Sequence, residues 1–314
     1  MERMRTPSVV MMAALAAGMV QAGEQTSATV TEQQVMNAWR YGLPDTGVLP
    51  SYGRFEWFTR MGERHGGSEL SLQSYALTLP LADPRKTGWG KTMINVQFDA
   101  KVTIANTGGT LDLHNDVFYN FALPITFITP MDNGNRWTYG LAPEVASDCE
   151  AVGKGLDVAA YAFYTVKHSD TFSYSLGLAM SPRFAEYLVV PMVRFEWNPC
   201  EEWTIKLKGY QLEAMYNATD RLSFGPFVAA RGGIWAVETD RGDRIFRVRS
   251  LVVGGTVEYD FSQPGQTKRI ITASVGSTVT TNAQFLERNA RKDSFGNHHY
   301  RPALYVSAGV DFRF

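Results

Sequence analysis

The residues of this chain that could do chemistry are mostly charges set two apart. Gln97, Asp99 and Lys101 alternate with Val96, Phe98, Ala100 and Val102. Arg194 and Glu196 alternate with Val193, Phe195 and Trp197, and Lys206 and Lys208 with Ile205 and Leu207. In an extended chain successive side chains point to opposite faces, so this spacing puts the charges on one face and the apolar groups on the other. Rows of charge on one wall attract, repel and sort ions. They do not make or break bonds. No Ser–His pair is brought together by spacing, and the chain has no glycine-rich phosphate loop and no paired-carboxylate motif. The sequence therefore implies no cofactor. Five histidines are spread along the chain. His298 and His299 stand together near Asp293, but strand neighbours diverge, so they read as solvated loop residues rather than metal ligands.

The elements that position those charges are long alternating segments. Ile94, Val96, Phe98, Ala100, Val102 and Ile104 form one face of such a segment. Phe172, Tyr174, Leu176, Leu178 and Met180 form another. Segments of this kind exceed the roughly 5–6 residues usual in globular strands and suit the ~9–11 residues of a tilted membrane-spanning strand. The alternation predicts strands at 52–60, 68–80, 92–104, 115–129, 136–145, 156–167, 171–180, 185–197, 202–209, 210–217, 222–237, 245–261, 268–280 and 301–314. That is about fourteen. Twelve remain if the short hairpin 202–217 is discounted. Turn signals separate them at His168–Asp170, Asn198–Glu202, Met131–Asn135 and Ser262–Gln266. A long polar connector is expected near 281–300. Pro124, Pro191 and Pro226 lie inside these segments, where each removes a ladder donor; they are expected at bulges or strand ends.

The beginning of the chain bears on its location. Arg3 and Arg5 precede the 12-residue apolar run Val9–Val20, and Val20-Gln21-Ala22 offers small residues for cleavage. This is the pattern of a secretory signal peptide, and it is too short for the roughly 20 residues of a spanning helix. Removing residues 1–22 leaves 292 residues with 28 basic and 30 acidic side chains. A charge of −2 gives no footprint for nucleic acid. Residues 23–51 are not strand-like. Thr31-x-x-Gln34 reads as a capping box, with Val35, Met36 and Trp39 on one side of a short helix; it is either a plug or a turn of helix in the periplasm. Residues 52–314 are the barrel.

A lipid-facing sheet must close on itself, because hydrocarbon leaves unpaired backbone groups unsatisfied. Aromatics sit where a membrane girdle would place them: Tyr187 opens one strand, Phe195 and Trp197 close it, and Trp203, Trp137 and Tyr139 lie beside turns. The chain ends on Ser307-x-Gly309-x-x-Phe312-x-Phe314. This ending resembles the C-terminal signal of Gram-negative outer-membrane β-barrels, which the assembly machinery recognises. The segments RFEWNPCEEWTIKL and YNATDRLSFG are similar to strand–turn–strand hairpins of a poorly characterised family of such barrels. The resemblance implies an all-β, up-and-down antiparallel transmembrane barrel in the outer membrane, with lipid and the assembly machinery as partners.

Within that topology the only two cysteines, Cys149 and Cys200, fall at opposite ends of the barrel. An apolar band of ~25 Å separates them by more than the ~7 Å reach of a disulfide. With the apolar faces outward, Arg54, Glu56, Gln97, Asp99, Lys101, Arg136, Glu144, Asp157, Lys167, Arg194, Glu196, Lys206, Lys208, Glu258, Asp311 and Arg313 fall on the inner face or its rims. Facing lipid, an Arg or Lys near the midplane would cost up to ~2–4 kcal/mol. About eight strands leave room only for side chains, whereas sixteen to eighteen leave a channel. Fourteen lies between. The expectation is passage of small polar solutes through the lumen. A closed barrel with an envelope-structural or adhesive role is the alternative, and a lipid-modifying enzyme the third.

Overall fold

The computed structural model describes residues 50–81, 85–88, 90–108, 111, 113–181, 188–240, 242–263, 268–286 and 294–313. The signal-peptide and plug readings, Tyr187, Asp293 and Phe314 lie outside them. The described residues form fourteen antiparallel strands: β1 (Pro50–Gly62), β2 (Glu69–Pro80, continued by Arg85–Lys86), β3 (Met93–Gly108), β4 (Val117–Ala122 and Ile125–Pro130), β5 (Arg136–Ser147), β6 (Leu156–Lys167), β7 (Phe172–Ser181), β8 (Leu188–Cys200), β9 (Trp203–Lys208), β10 (Gln211–Asn217), β11 (Leu222–Val237), β12 (Arg244–Asp260), β13 (Lys268–Leu286) and β14 (Ser294–Tyr300 and Leu304–Arg313). Each strand pairs with its neighbours in sequence. The last closes on the first, from Pro50 opposite Arg313 to Phe58 opposite Tyr305. From Tyr305 to Arg313 the last strand is thus a barrel stave. Both termini of the barrel lie at one end, called here the terminal end.

The hairpin β9–β10, the least strand-like of the predicted pairs, is present and has a structural consequence. Its strands pair from Trp203–Tyr216 to Lys208–Gln211 and turn at once through Gly209–Tyr210, with Gly209 at φ +57°. It reaches only part of the wall's height. β8 gains β9 as a partner only from Phe195 onward, and β11 leaves β10 at Ala229. Beyond that level β11 crosses to β5. Ala236 bridges Ser147 in a parallel pair, and Asp148 N–H donates to Ala236 O at 3.1 Å. The crossing follows Gly232, whose φ of +138° disfavours a side chain and whose missing Cβ would lie 2.0 Å from Val248 O.

The outer surface is apolar. Leu141, Leu176, Leu178, Val193, Val253, Val257, Ile271 and Val275 are exposed, as hydrocarbon requires. Trp137, Tyr139, Trp197, Trp203, Phe224 and Tyr259 are exposed toward the terminal end and form an aromatic girdle there. The prolines resolve in two ways. Pro124 breaks β4 into its two segments. Pro191 and Pro226 instead sit inside continuous strands, opposite Leu178 and Gly255. Among the described residues Pro191 lies where β8 pairs with β7 alone, an edge position in which proline is tolerated. The connector expected at 281–300 is also shorter than its polarity suggested. β13 runs on to Leu286, and β14 begins at Ser294. The cysteines are unbridged, Cys149 beyond β5 at the far end and Cys200 at the terminal end of β8.

Candidate functional site: a polar chamber beneath a dry core

The inside of the barrel has two zones. At the far end it is filled with apolar side chains: Phe58, Met61, Leu70, Leu72, Phe118, Trp235, Phe246, Val248, Phe285 and Tyr300 belong to one buried cluster. The Phe118 ring lies 4.9 Å from Trp235 and 5.7 Å from Phe246, contacts worth about 0.5–1.5 kcal/mol each beyond their buried area. Every strand member of the cluster comes from β1–β5 or β11–β14; among the described residues none comes from β6–β10. These are the nine strands that remain once β11 has crossed to β5. Nine staves enclose a bore that side chains fill, much as about eight do.

At the terminal end the interior is a polar chamber of about 340 Å³. Arg54, Gln97, Asp99, Lys208, Glu213, Arg231, Glu258 and Asp311 line it, with Tyr52, Thr78, Gln211, Thr256, Thr272, Ser274 and Ser307 between them. Three cations face four carboxylates there. Ser307 and Gly309 of the C-terminal motif also face this chamber.

A charged layer divides the two zones. Glu56, 9% exposed, accepts the Tyr305 hydroxyl at 3.0 Å. Arg231 Nε is 3.2 Å from the same carboxylate and Lys101 Nζ 3.8 Å. Lys101 also reaches Gly232 O at 3.5 Å, and Arg231 donates to Gln211. So Lys101 of β3 is held by Glu56 of β1, across β2, whereas its near neighbour Asp99 accepts from Thr78 on β2. Arg231 gives no sign of its role in sequence, because it follows Ala229 and Ala230 in an apolar stretch and precedes two glycines.

The remaining residues expected on the inner face form local rows. Glu196 stands opposite Lys206, which stands opposite Glu213 on β10, a ladder of alternating sign. Lys208 Nζ is 3.4 Å from Glu213. Arg136, Thr165, Ser175 and Arg194 lie in register across β5–β8, with the two hydroxyls 3.0 Å apart and Arg194 over the Phe163 ring at 4.5 Å. Lys167 pairs with Asp170 at 2.6 Å on the terminal rim. Glu144 and Asp157 stand opposite each other across β5 and β6, on the strand faces that also carry the inward Arg136, Thr138 and Thr165. They lie away from the chamber, beside a groove of about 580 Å³ whose lining includes Phe98, Phe121, Leu123 and Val158. The groove opens where Pro124 interrupts β4. His298 is likewise not a solvated loop residue: it lies in β14, 17% exposed, with Nδ1 2.9 Å from Glu63. His299 points the other way, to Asn282 at 2.6 Å.

Fold and interior define a closed, antiparallel, membrane-type β-barrel with a polar chamber at one end and a dry core at the other. The chain belongs to the family described as "Domain of unknown function (DUF6268)", whose model matches residues 63–313. Comparison with curated proteins finds no match. Among solved structures it is similar to a KdgM porin, at 8% identity and a TM-score of 0.34, covering 85% of this chain and 99% of that one. It is also similar to OccK2 (OpdF) of Pseudomonas aeruginosa, at 10% identity and a TM-score of 0.30, covering 83% and 97%. The TodX monoaromatic hydrocarbon channel is similar at 8% identity and a TM-score of 0.32, covering 88% and 93%. Similarities at this level transfer neither ligand nor function.

Proposed function

We propose that the protein is a porin-like barrel of the Gram-negative outer membrane that passes small polar solutes with weak charge preference. It reaches the membrane after cleavage at Ala22 and engages the assembly machinery through Ser307, Gly309, Phe312 and Phe314. The observation that carries this reading is the chamber: polar, about 340 Å³ in volume, and lined by both signs of charge in near balance. A lumen meant only to be filled has no need of a solvated ring of charge, since paired apolar side chains fill it at lower desolvation cost. In this reading the Glu56–Arg231–Lys101 layer is the closed position of the passage, and the inner-face charges are its lining.

The dry core built by nine strands favours a second reading, a permanently closed barrel with an envelope-structural or adhesive role. Reversal potentials in planar bilayers under a salt gradient separate the two. In a conduit, Asp99→Asn shifts preference toward anions and Lys101→Gln toward cations, because each removes one fixed charge from a solvated wall. A silent native protein, with both variants melting at lower temperature, supports the closed barrel.

A further inference from the structure

At the far end three loops converge on one point. His114 comes from the loop between β3 and β4, Glu150 from the one after β5, and Glu238 from the one after β11. One ligand atom from each lies within 4.8 Å of the others. Two of the three are fixed from behind. The carboxylate of Asp148, itself 3% exposed, accepts Glu150 N–H at 2.9 Å through one oxygen and Glu238 N–H at 2.8 Å through the other. A fourth carboxylate, Asp240, places Oδ1 2.8 Å from His114 Nε2. Among the described residues neither Glu150 nor Glu238 has a lysine or arginine partner.

We infer that His114, Glu150 and Glu238 form a binding site for a divalent first-row metal ion of the Zn²⁺ type. The donor chemistry selects the class. An imidazole beside carboxylates suits Zn²⁺ and its first-row neighbours, whereas Ca²⁺ and Mg²⁺ take all-oxygen sets. Zn–N and Zn–O bonds of about 2.0–2.2 Å put the ligands of one ion about 3.3 Å apart, inside the 4.8 Å within which these atoms already lie. Asp240 completes the site in either of two ordinary ways. It is a fourth ligand, or it accepts the imidazole N–H and so fixes the ring nitrogen that binds. The ion would neutralise the carboxylates of Glu150 and Glu238 that converge there. It would also tie together the β3–β4, β5–β6 and β11–β12 loops, directly above the Ala236–Ser147 bridge that narrows the barrel.

The test is titration of the untagged, metal-stripped protein in detergent with ZnCl₂, followed by calorimetry. One saturable Zn²⁺ per chain is expected, with affinity falling at least about tenfold in His114→Ala, in Glu150→Gln and in Glu238→Gln. His298→Gln, a histidine outside the site, should bind as the native protein does. Heat-modifiable migration on gels shows that each variant is folded. Absence of saturable binding overturns the assignment. So does native affinity in folded His114→Ala, or Ca²⁺ binding as tightly as Zn²⁺.

Discussion

Removing the carboxylate charge from Glu56 should damage this barrel more than any other single change on its inner wall. Glu56 is the shared anion of two cations, Arg231 at 3.2 Å and Lys101 at 3.8 Å, and it also accepts the Tyr305 hydroxyl. At an effective dielectric of about 20, Coulomb attraction at those distances is roughly 5 and 4 kcal/mol. Desolvation of the three ions offsets most of this in the native protein. In Glu56→Gln the attraction is gone, while the desolvation cost of two cations beneath a dry core remains. Breaking a buried pair by deleting one partner typically costs ~3–5 kcal/mol, and the same is expected here. The assay is equilibrium urea unfolding in detergent, followed by tryptophan fluorescence and by the heat-modifiable gel shift. The variant should also conduct more often than native protein in bilayers, because two like charges now push apart the layer that divides the lumen. A loss below about 1 kcal/mol would show that the layer is hydrated and its ions already satisfied by water, and the account of a closed division would fall.

Gly232→Ala should destabilise by about 1–3 kcal/mol, since the residue sits at φ +138° with Val248 O where a Cβ would go; unfolding measurements on Gly53→Ala, where φ is not positive and a Cβ meets nothing within 4 Å, provide the comparison. Phe312→Ser combined with Phe314→Ser should sharply reduce membrane insertion, with the chain accumulating or degraded in the periplasm; normal levels of heat-modifiable, membrane-embedded protein would refute the terminal-signal reading.

Much of this architecture was legible in the chain because a membrane barrel obeys a local rule. A stave meets lipid on one side and the interior on the other, so its residues must alternate, and the alternation survives in any window of the sequence. All fourteen strands, the pairing of the last with the first, and the inward placement of Glu56, Asp99, Lys101, Glu196 and Lys206 follow from that rule. So does the separation of Cys149 from Cys200, which needs only the order of the strands. What alternation cannot express is how far up the wall each stave reaches and what meets across the lumen. The shortness of β9–β10 is visible at 203–217, but its effect appears only when β11, freed beyond Ala229, finds β5 some ninety residues away in sequence. That crossing decides that Phe118, Trp235 and Phe246 stack inside instead of facing water. It also brings Arg231 and Lys101 together on Glu56, leaving Asp99 to Thr78, and brings His114 to Glu150 and Glu238. These partners lie on strands and loops far apart in the chain, and long-range contacts set by closure of the barrel leave no periodic trace in the sequence.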